Sequence, residues 1–339
     1  MRVGIDGRKI SDFGIGTYIR GLLGGLAELG GEDQYVVLAP QGARASIPAE
    51  FEHVVADAPH YSLRELMTFG RAVDAARLDL FHAPHYVVPF LSTPFVVTVH
   101  DLIHLRDRRP LARLYARWMI GRAVRQSRQV MTVSESVRQE ILSTFGLPSD
   151  QVVVTPNAPA AAFTPIGPRA SGRYFLYAGN DKPHKNVGAL VEAFERSRRG
   201  DAQLVLAGAP FERYGGKQGV ILPGFVSEAE LAALYRGALA VVVPSREEGF
   251  GLPALEAMAC GAPVITSMAA ALVGVTGDAA LHAEGSVEGL RDALERLLGD
   301  ESLRRDLSAR GPQRAMEFTW RRSAAVARDA YHHAFSRPR

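Results

Sequence analysis

The sequence has a single cysteine, Cys260, which excludes an internal disulfide and a metal site built from several cysteines. It has no run of about 18 apolar residues, the length that a membrane-spanning helix needs. Its first six residues lack the apolar run of a signal peptide. Neither positive nor negative side chains dominate, because the net charge is +3 and residues 1–160 carry 17 basic and 16 acidic side chains. These absences predict a cytoplasmic protein that is not a general nucleic-acid binder.

The composition is that of an ordinary globular protein, with 47% apolar and 22% charged residues among 339. At about 100 to 200 residues per domain, this length predicts two domains. Short β-branched runs alternate with helical segments, which is the α/β pattern. We predict two series of strands, at Val3–Asp6, Tyr35–Leu38, Leu78–His82, Phe95–Val99, Val130–Val133 and Val152–Thr155, and then at Tyr174–Ala178, Leu204–Ala207, Val220–Leu222, Ala240–Val243 and Val264–Thr266.

A proline-rich stretch separates the two series, which implies two doubly wound domains. Pro156, Pro159, Pro165 and Pro168 interrupt any periodic pattern there, as is typical of a linker. We divide the chain into domains at 1–165 and 166–318, followed by a closing helix within 319–339. Open α/β sheets bind ligands beyond the carboxyl ends of their strands, so the loops after strands are where a site is expected.

The segment 243–264 carries the strongest signal, because a strand end, a glycine loop and a helix start follow one another there. Gly249 and Gly251 allow main-chain N–H groups to approach a ligand, and Pro253 suits a first helical turn. An anion could therefore bind at this helix N-terminus. Glu256 would point back toward it and could accept hydrogen bonds from ribose hydroxyls. Alternatively, Glu256 only complements the helix dipole.

The spacing of Glu248 and Glu256, within Glu-Gly-Phe-Gly-Leu-Pro-Ala-Leu-Glu, resembles the signature of the retaining nucleotide-sugar glycosyltransferases with the GT-B fold (glycosyl transferases group 1). The resemblance implies two Rossmann-like domains that face each other across a cleft, with the acceptor on the first and the donor on the second. It also implies that the C-terminal helix, within 319–339, returns to the first domain. It also implies that Glu248 lies against the donor sugar and that Glu256 holds the ribose. By the same resemblance, the backbone of Phe250, Gly251 and Leu252 binds the diphosphate and sugar oxygens.

A second motif, Tyr177 to Asn186, follows the first strand of the second domain. Lys185, at a predicted helix start, is a point charge suited to a diphosphate, although a surface lysine is the alternative. The segment resembles the family's element that neutralises the leaving diphosphate with two cations. By that resemblance Lys185 is catalytic, whereas Asn180, a donor-site position, stands where many members have arginine. Lys182 is a substitute for the second cation.

In the first domain, the loop Asp12-Phe13-Gly14-Ile15-Gly16-Thr17 resembles the loop that closes over the donor sugar in family members that build surface polysaccharides. This resemblance assigns Gly14, Gly16 and Thr17 to the donor site. His100, in the strand-end sequence His100-Asp101, resembles the family's histidine beside the reacting sugar, while Asp101 could instead cap the next segment. The pairs His82/His85 and His100/His104 match no metal signature, so no metal is expected.

The resemblance implies that the protein moves a hexose from a nucleotide diphosphate sugar to a hydroxyl of a glycan or lipid-linked acceptor, with retained configuration, in surface polysaccharide or glycolipid synthesis. No cofactor is implied. The opening segments Gly4–Lys9 and Gly14–Ile19 resemble the mannosyltransferase-like branch, which favours GDP-mannose over UDP-glucose. The alternatives are a sugar-nucleotide epimerase or phosphorylase of the same fold, and a catalytically silent nucleotide-sugar binder.

An arginine-rich segment, 106–128, bears on the acceptor side. Residues 101–128 hold eight arginines against two aspartates. At helical spacing Arg113, Arg117, Arg122, Arg125 and Arg128 share one half of a helix with Leu111, Leu114 and Trp118. Such a face suits an anionic membrane surface, which would place the protein at the inner face of the plasma membrane. The alternative is a solvated face whose arginine stems cover apolar surface.

Overall fold

The computed structural model describes residues 1–12, 14–56, 63–208 and 210–337. The chain forms two compact units, one of Met1–Asn157 with Thr319–Arg339 and the other of Ala158–Phe318. The first division lies between Asn157 and Ala158, before the boundary at 165/166 that the prolines suggested. None of the described helices is long and apolar enough to cross a membrane.

Unit 1 is built on a parallel sheet whose strand order among the described residues is β3-β2-β1-β4-β5-β6-β7. Nearly every residue of the central strands is buried, as expected for a parallel sheet covered on both faces. The strands are β1 (Arg2–Asp6), β2 (Gln34–Ala39), β3 (Glu52–Val55), β4 (Leu80–Ala83), β5 (Phe95–Val99), β6 (Gln129–Thr132) and β7 (Val152–Val154).

The helices of unit 1 include one from the end of the chain. They are α1 (Ile15–Leu29), α2 (Leu63–Ala75), α3 (Pro110–Gln126), α4 (Glu135–Phe145) and α11 (Trp320–Ser336). α11 packs closely on α1 because two glycines leave room for it. A Cβ atom at Gly21 would lie 2.0 Å from the ring atom Cε2 of Trp320, and one at Gly25 would lie 2.3 Å from the carbonyl oxygen of Trp320. Any larger residue at Gly21 or Gly25 would therefore separate the two helices.

Unit 2 is built on a second parallel sheet, with the order β10-β9-β8-β11-β12-β13 among the described residues. Its strands are β8 (Tyr174–Gly179), β9 (Gln203–Gly208), β10 (Val220–Gly224), β11 (Ala240–Val243), β12 (Val264–Ser267) and β13 (Leu281–Ala283). Its helices are α5 (Val187–Arg196), α6 (Glu228–Gly237), α7 (Leu252–Ala259), α8 (Ala270–Thr276), α9 (Val287–Gly299) and α10 (Glu301–Ala315).

Two strands were not predicted from the sequence. β3 lies at one edge of the first sheet and has only exposed and half-buried residues, and β13 is three residues long and lies at an edge of the second. Edge strands need less apolar sequence because one side of the strand has no neighbour, so their signal is weak. The β-branched runs predict the central strands, which are buried on both faces, and also the edge strands β7 and β10.

Candidate active site

The loops after β8 and β11 lie next to each other at the carboxyl edge of the unit 2 sheet. β8 is where the strand order reverses, with β9 on one side and β11 on the other. Ligands of open α/β sheets bind at such a reversal. The loop after β8 carries Asn180 and Lys185, and the loop after β11 carries Glu248 and leads into α7. The topology of this unit therefore gathers the sequence-predicted residues of its two motifs at one edge.

Lys185 and Glu248 form an ion pair between these two loops. Lys185 Nζ lies 2.7 Å from Glu248 Oε1, and the two side chains are only 18% and 10% exposed. Ser245 donates a hydrogen bond of 2.8 Å to the same oxygen. Opposite charges this close interact strongly where water is largely excluded. Lys185, expected at the diphosphate, and Glu248, expected at the donor sugar, are thus in direct contact.

Asn186 fixes the position of this pair. It has a left-handed backbone with φ 60°, which asparagine tolerates better than most residues. Its buried side-chain amide donates to the carbonyl oxygens of Pro244, at 3.2 Å, and Gly285, at 2.8 Å. These bonds tie the residue after Lys185 to the loops after β11 and β13. The ammonium group of Lys185 is therefore held against the glycine loop.

The start of α7 requires glycine at position 251. Gly251 has φ 101°, and a Cβ atom there would lie 2.4 Å from Leu272 Cδ2. Leu252 begins the helix, where first-turn N–H groups lack intrahelical acceptors and favour negative charge. Phe250 packs its buried ring against Phe318, with centroids 5.7 Å apart. Any contact of Phe250 with a donor would therefore be made by its backbone.

Glu256 lies in the second turn of α7 and is 8% exposed. Tyr235, on α6, donates a hydrogen bond to its Oε2 over 3.2 Å. Burial raises the pKa of Glu256 to about 8, against the lowering effect of that bond and with a further increase from Glu228. A role for Glu256 in complementing the helix dipole needs an acid in the first turn, where α7 has none. The geometry therefore favours the ligand-binding interpretation.

Asn180 shapes the turn after β8. Its backbone oxygen accepts from the Tyr177 hydroxyl at 2.6 Å, and its side-chain Oδ1 accepts from the backbone N–H of Lys182 at 3.3 Å. Lys182 is exposed and, with Arg246, lines a cavity of about 370 Å³ at the start of α5. Asn180 therefore makes the local hydrogen bonds of a turn residue. Lys182 places a positive charge in the same loop.

In unit 1, His100 directly follows β5. Its Nε2 lies 2.9 Å from the carbonyl oxygen of Pro84, which can only accept, so Nε2 carries the proton. Burial lowers the pKa of His100, more than the Pro84 bond and Asp101 raise it. The ring is therefore neutral near pH 7, and its Nδ1 keeps a lone pair that can accept a hydrogen bond from a hydroxyl group. Tyr18 packs edge-on against it, with centroids 4.9 Å apart.

The three residues assigned from the first glycine loop differ in their surroundings, and Phe13 lies outside the described residues. Gly14 is exposed with φ 72°. Gly16 is buried, and a Cβ atom there would lie 2.5 Å from the carbonyl oxygen of Ile10. Thr17 accepts a hydrogen bond from Arg20 at 3.3 Å. Gly16 thus has a packing reason to be glycine, whereas Gly14 is accessible.

The histidines weighed as metal ligands have other contacts. His82 uses both ring nitrogens, with Tyr331 Oη and Thr98 Oγ1 each 2.8 Å away, and burial lowers its pKa to about 3. His85 Nδ1 accepts from the backbone N–H of Val87 at 3.2 Å. Over the part of the chain that the structure describes, no three His, Cys, Asp or Glu side chains are grouped as metal ligands would be. His82 therefore ties β4 to α11 and β5.

A buried ion pair follows β1. Arg8 binds both carboxylate oxygens of Asp6, at 2.9 and 2.7 Å, and its guanidinium lies 3.6 Å from the Phe69 ring centroid. Burial would raise the pKa of Asp6, but the charges and hydrogen bonds of Arg8 and His85 lower it well below its usual value. Asp6 therefore stays ionised and holds Arg8 at the carboxyl end of the sheet.

Ser245, Asn186 and Tyr235 were not predicted from the sequence. Asn186 and Tyr235 act through contacts between separate elements, which periodicity cannot show, and Ser245 bonds Glu248 within the loop after β11. Asn186 had the best signal, because it directly follows Lys185 in the second motif. Tyr235 carries only the spacing of a buried helix face.

The amino-acid sequence is similar to those of known proteins. Residues 162–314 match the family described as glycosyl transferases group 1, and residues 14–158 match glycosyltransferase family 4. The chain is 30% identical over 284 residues to O-antigen chain mannosyltransferase B of Escherichia coli, covering 74% of each chain. It is 34% identical over 279 residues to the MMP alpha-(1->4)-mannosyltransferase of Mycolicibacterium hassiacum, covering 73% of this chain and 67% of the relative.

Solved structures agree in fold. Sucrose-phosphate synthase from Thermosynechococcus elongatus superimposes with a TM-score of 0.78 at 20% identity, over 99% of both chains. Anabaena HepE, in complex with UDP-glucose, gives 0.77 at 15% identity over 98% of this chain and 99% of HepE. The chain belongs to the glycosyl transferases group 1 family, and its two parallel sheets with their helices are the Rossmann-like domains of the GT-B fold.

Proposed function

We propose that this glycosyltransferase moves a hexose, with mannose favoured, from a nucleotide diphosphate sugar to a hydroxyl of a glycan or lipid-linked acceptor, with retained configuration. The observation that carries the proposal is the Lys185–Glu248 ion pair at the strand-order reversal, beside a helix whose second turn bears the buried Glu256. The reaction would serve the synthesis of a surface polysaccharide or glycolipid.

The ion pair suits the bond that must break. In the donor, the sugar C1 is bonded to a phosphate oxygen. As this bond breaks, positive charge develops on the sugar and negative charge develops on the phosphate oxygen. Lys185 and Glu248 supply the two opposite charges, with 2.7 Å between them. In our proposal Lys185 and the first-turn amides of α7 stabilise the departing diphosphate, so the protein itself supplies the charge that a metal ion would otherwise provide.

The sugar is transferred on one face. The C1–phosphate oxygen bond breaks, the acceptor oxygen bonds to C1 from the same side, and the hydroxyl proton passes to the departing phosphate oxygen. Glu248 supports the positive charge on the sugar electrostatically and does not bond to it. Ser245, which donates to Glu248 Oε1, keeps the carboxylate in place. His100, through its Nδ1 lone pair, would accept from a sugar hydroxyl.

GDP-mannose is the favoured donor and UDP-glucose the alternative. Two mannosyltransferases are among the relatives, whereas HepE was solved with UDP-glucose. The preference for mannose also rests on the opening segments of unit 1, which resemble those of the mannosyltransferase-like branch.

A donor panel tests the function. The purified chain is incubated with GDP-mannose, UDP-glucose and other sugar nucleotides, with EDTA present and with glycan acceptors, and released nucleoside diphosphate is measured. We expect release from one donor, faster with an acceptor. Conversion of the sugar without release would indicate an epimerase, and a requirement for phosphate would indicate a phosphorylase. Binding without turnover of any donor would indicate a silent binder, and each of these results contradicts the proposal.

We further propose that the exposed face of α3 contacts an anionic membrane. Four apolar side chains project from it, with Leu111, Leu114, Tyr115 and Trp118 exposed by 82%, 65%, 48% and 52%. Arg113 and Arg117 are exposed between them, and α3 contains no acidic residue. Apolar side chains with flanking arginines suit the boundary between lipid head groups and acyl chains.

Some arginines of the 106–128 segment make contacts within unit 1 and do not belong to this exposed face. Arg122 is half-buried, donates to the Val88 carbonyl oxygen and lies 4.6 Å from the Phe90 ring centroid. Arg128 donates to the carbonyl oxygen of Ala334 at 2.9 Å, and Arg106 pairs with Glu140. The assignment of Arg122 and Arg128 to the membrane face was therefore wrong, because both fasten α3 and its following turn to the rest of unit 1.

Vesicle sedimentation tests this face. We expect the wild type to sediment with phosphatidylglycerol-containing vesicles and not with pure phosphatidylcholine. Arg113→Ala with Arg117→Ala should weaken partitioning about tenfold or more, since each arginine near such a surface contributes about 1 kcal/mol. Ile166→Ser, which removes an 86% exposed apolar residue from unit 2, is the matched control and should sediment like the wild type. Equal sedimentation of the wild type with both vesicles would contradict the proposal.

A further inference from the structure

The buried pair of Tyr235 and Glu256 joins two helices of unit 2. Tyr235 lies near the end of α6 and is 0% exposed. Its hydroxyl oxygen lies 3.2 Å from Glu256 Oε2. Across the described residues, this is the only side-chain hydrogen bond that the structure gives the Glu256 carboxylate. A buried acid with a single protein donor depends on that donor for its orientation.

The Tyr235 ring cannot easily turn away from Glu256. A capping box fixes the start of α6, because Ser227 and Glu230 bond reciprocally to each other's backbone. At the other end, a Cβ atom at Gly237 would lie 2.3 Å from the carbonyl oxygen of Ala170. The ring itself packs edge-on against Phe163, with centroids 5.7 Å apart. Backbone and ring packing together aim the hydroxyl group at α7.

The direction of the hydrogen bond is also fixed. Burial, and then the charge of Glu256, raise the pKa of Tyr235 well above its ordinary value. The phenol therefore keeps its proton near neutral pH and donates to Glu256. One carboxylate oxygen, Oε2, is engaged by the protein, which leaves Oε1 as the oxygen with no protein donor among the described residues.

We propose that Tyr235 is a positioning residue for nucleotide recognition: it holds Glu256 so that Oε1 accepts from the ribose, and it thereby sets the preference for ribonucleotide over deoxyribonucleotide donors. This inference rests on the proposed function, in which Glu256 binds the ribose. It goes beyond that function by assigning the ribose specificity to a side chain that does not touch the ligand. Without the tyrosine hydroxyl, the carboxylate would lose its fixed orientation and bind ribose less well.

Calorimetric titration with paired nucleotides tests this. The affinities of wild type and Tyr235→Phe are measured for GDP and 2′,3′-dideoxy-GDP, or for the uridine pair if the donor panel selects UDP. We expect Tyr235→Phe to weaken binding of the ribonucleotide about fivefold to tenfold, the loss of one buried hydrogen bond. Its affinity for the dideoxynucleotide should be that of the wild type. With the donor sugar, KM should rise while kcat stays near the wild-type value.

Tyr174→Phe is the matched control. The Tyr174 hydroxyl also holds α6, by donating to the Leu234 carbonyl oxygen at 2.8 Å, but it does not touch Glu256. It should leave the ratio of the two affinities unchanged. Glu256→Asp, which draws the carboxylate back from Tyr235, is the second variant and should reduce the ratio as Tyr235→Phe does.

The outcomes separate this inference from the proposed function. An equal loss of affinity for both nucleotides in Tyr235→Phe would overturn the inference and leave Tyr235 a structural residue. An unchanged ratio in Tyr235→Phe would overturn it as well. If the wild type itself binds both nucleotides equally, Glu256 does not hold the ribose, and that part of the proposed function fails first.

Discussion

Replacing Lys185 with alanine is expected to lower kcat by about 10² to 10³, the usual cost of removing one group that stabilises developing negative charge. Lys185 is held against the glycine loop by Asn186 and lies 2.7 Å from Glu248. Because the negative charge on the diphosphate is greater in the transition state than in the bound donor, kcat should fall more than donor affinity. Steady-state kinetics at saturating donor measure the change.

Lys217→Ala is the control for this variant. Lys217 also lies in unit 2 and pairs with Glu195 at the same 2.7 Å, but on the exposed surface. It should retain wild-type kcat. Lys185→Arg should recover part of the lost rate, since it restores the charge but not the point geometry. If Lys185→Ala and Lys217→Ala have equal turnover, Lys185 is the surface lysine that the sequence alone also allowed.

The second large effect concerns stability and pH. Burial raises the pKa of Glu256 from its ordinary 4.5 to about 8, with a lowering contribution from Tyr235 and a raising one from Glu228. Between these pH values the folded chain keeps a proton that the unfolded chain has released. The free energy of unfolding therefore falls as pH rises through this window and stops falling above about pH 8.

Glu256→Gln removes this dependence, because glutamine resembles the neutral acid and can still accept from Tyr235. Relative to wild type, the variant should gain roughly 4 kcal/mol between the two ends of the window, since each tenfold difference in proton affinity is worth about 1.4 kcal/mol. Urea unfolding at several pH values measures it. The other titratable groups around the pair, Glu228, Cys260 and Tyr177, are still present in the variant.

The exposed Glu288, on α9, provides the control substitution, and Glu288→Gln should follow the wild-type curve. A stability difference between Glu256→Gln and wild type that stays constant across the window would show that Glu256 is ionised in the folded protein. The ribose interpretation would survive that result, but the account of its burial would not.

Much of the fold could be predicted because its signals are local. The buried parallel strands read as β-branched runs, and the glycine loop with Pro253 marks the start of α7. The edge strands β3 and β13 carry weaker patterns and were missed. The family resemblance depended on Glu248 and Glu256, which lie in one loop and in the helix that directly follows it.

The contacts that organise the site could not be predicted in the same way. Asn186 reaches Pro244 and Gly285, which are 58 and 99 residues away in the chain, and Tyr235 reaches Glu256 from another helix. Helical periodicity also misassigned Arg122 and Arg128, because α3 ends at Gln126, before Arg128, and because both guanidinium groups bond to backbone carbonyl oxygens. Side-chain length lets an arginine leave the face that its Cα position predicts.

The most direct measurement is a crystal structure of the chain with the nucleoside diphosphate of its donor. The electron density should show the diphosphate at the first turn of α7 with Lys185 beside it, and a ribose hydroxyl in hydrogen-bond contact with Glu256 Oε1. Electron density for the nucleotide at any other edge of unit 2, or in unit 1 alone, with no contact to Glu256, would contradict the account.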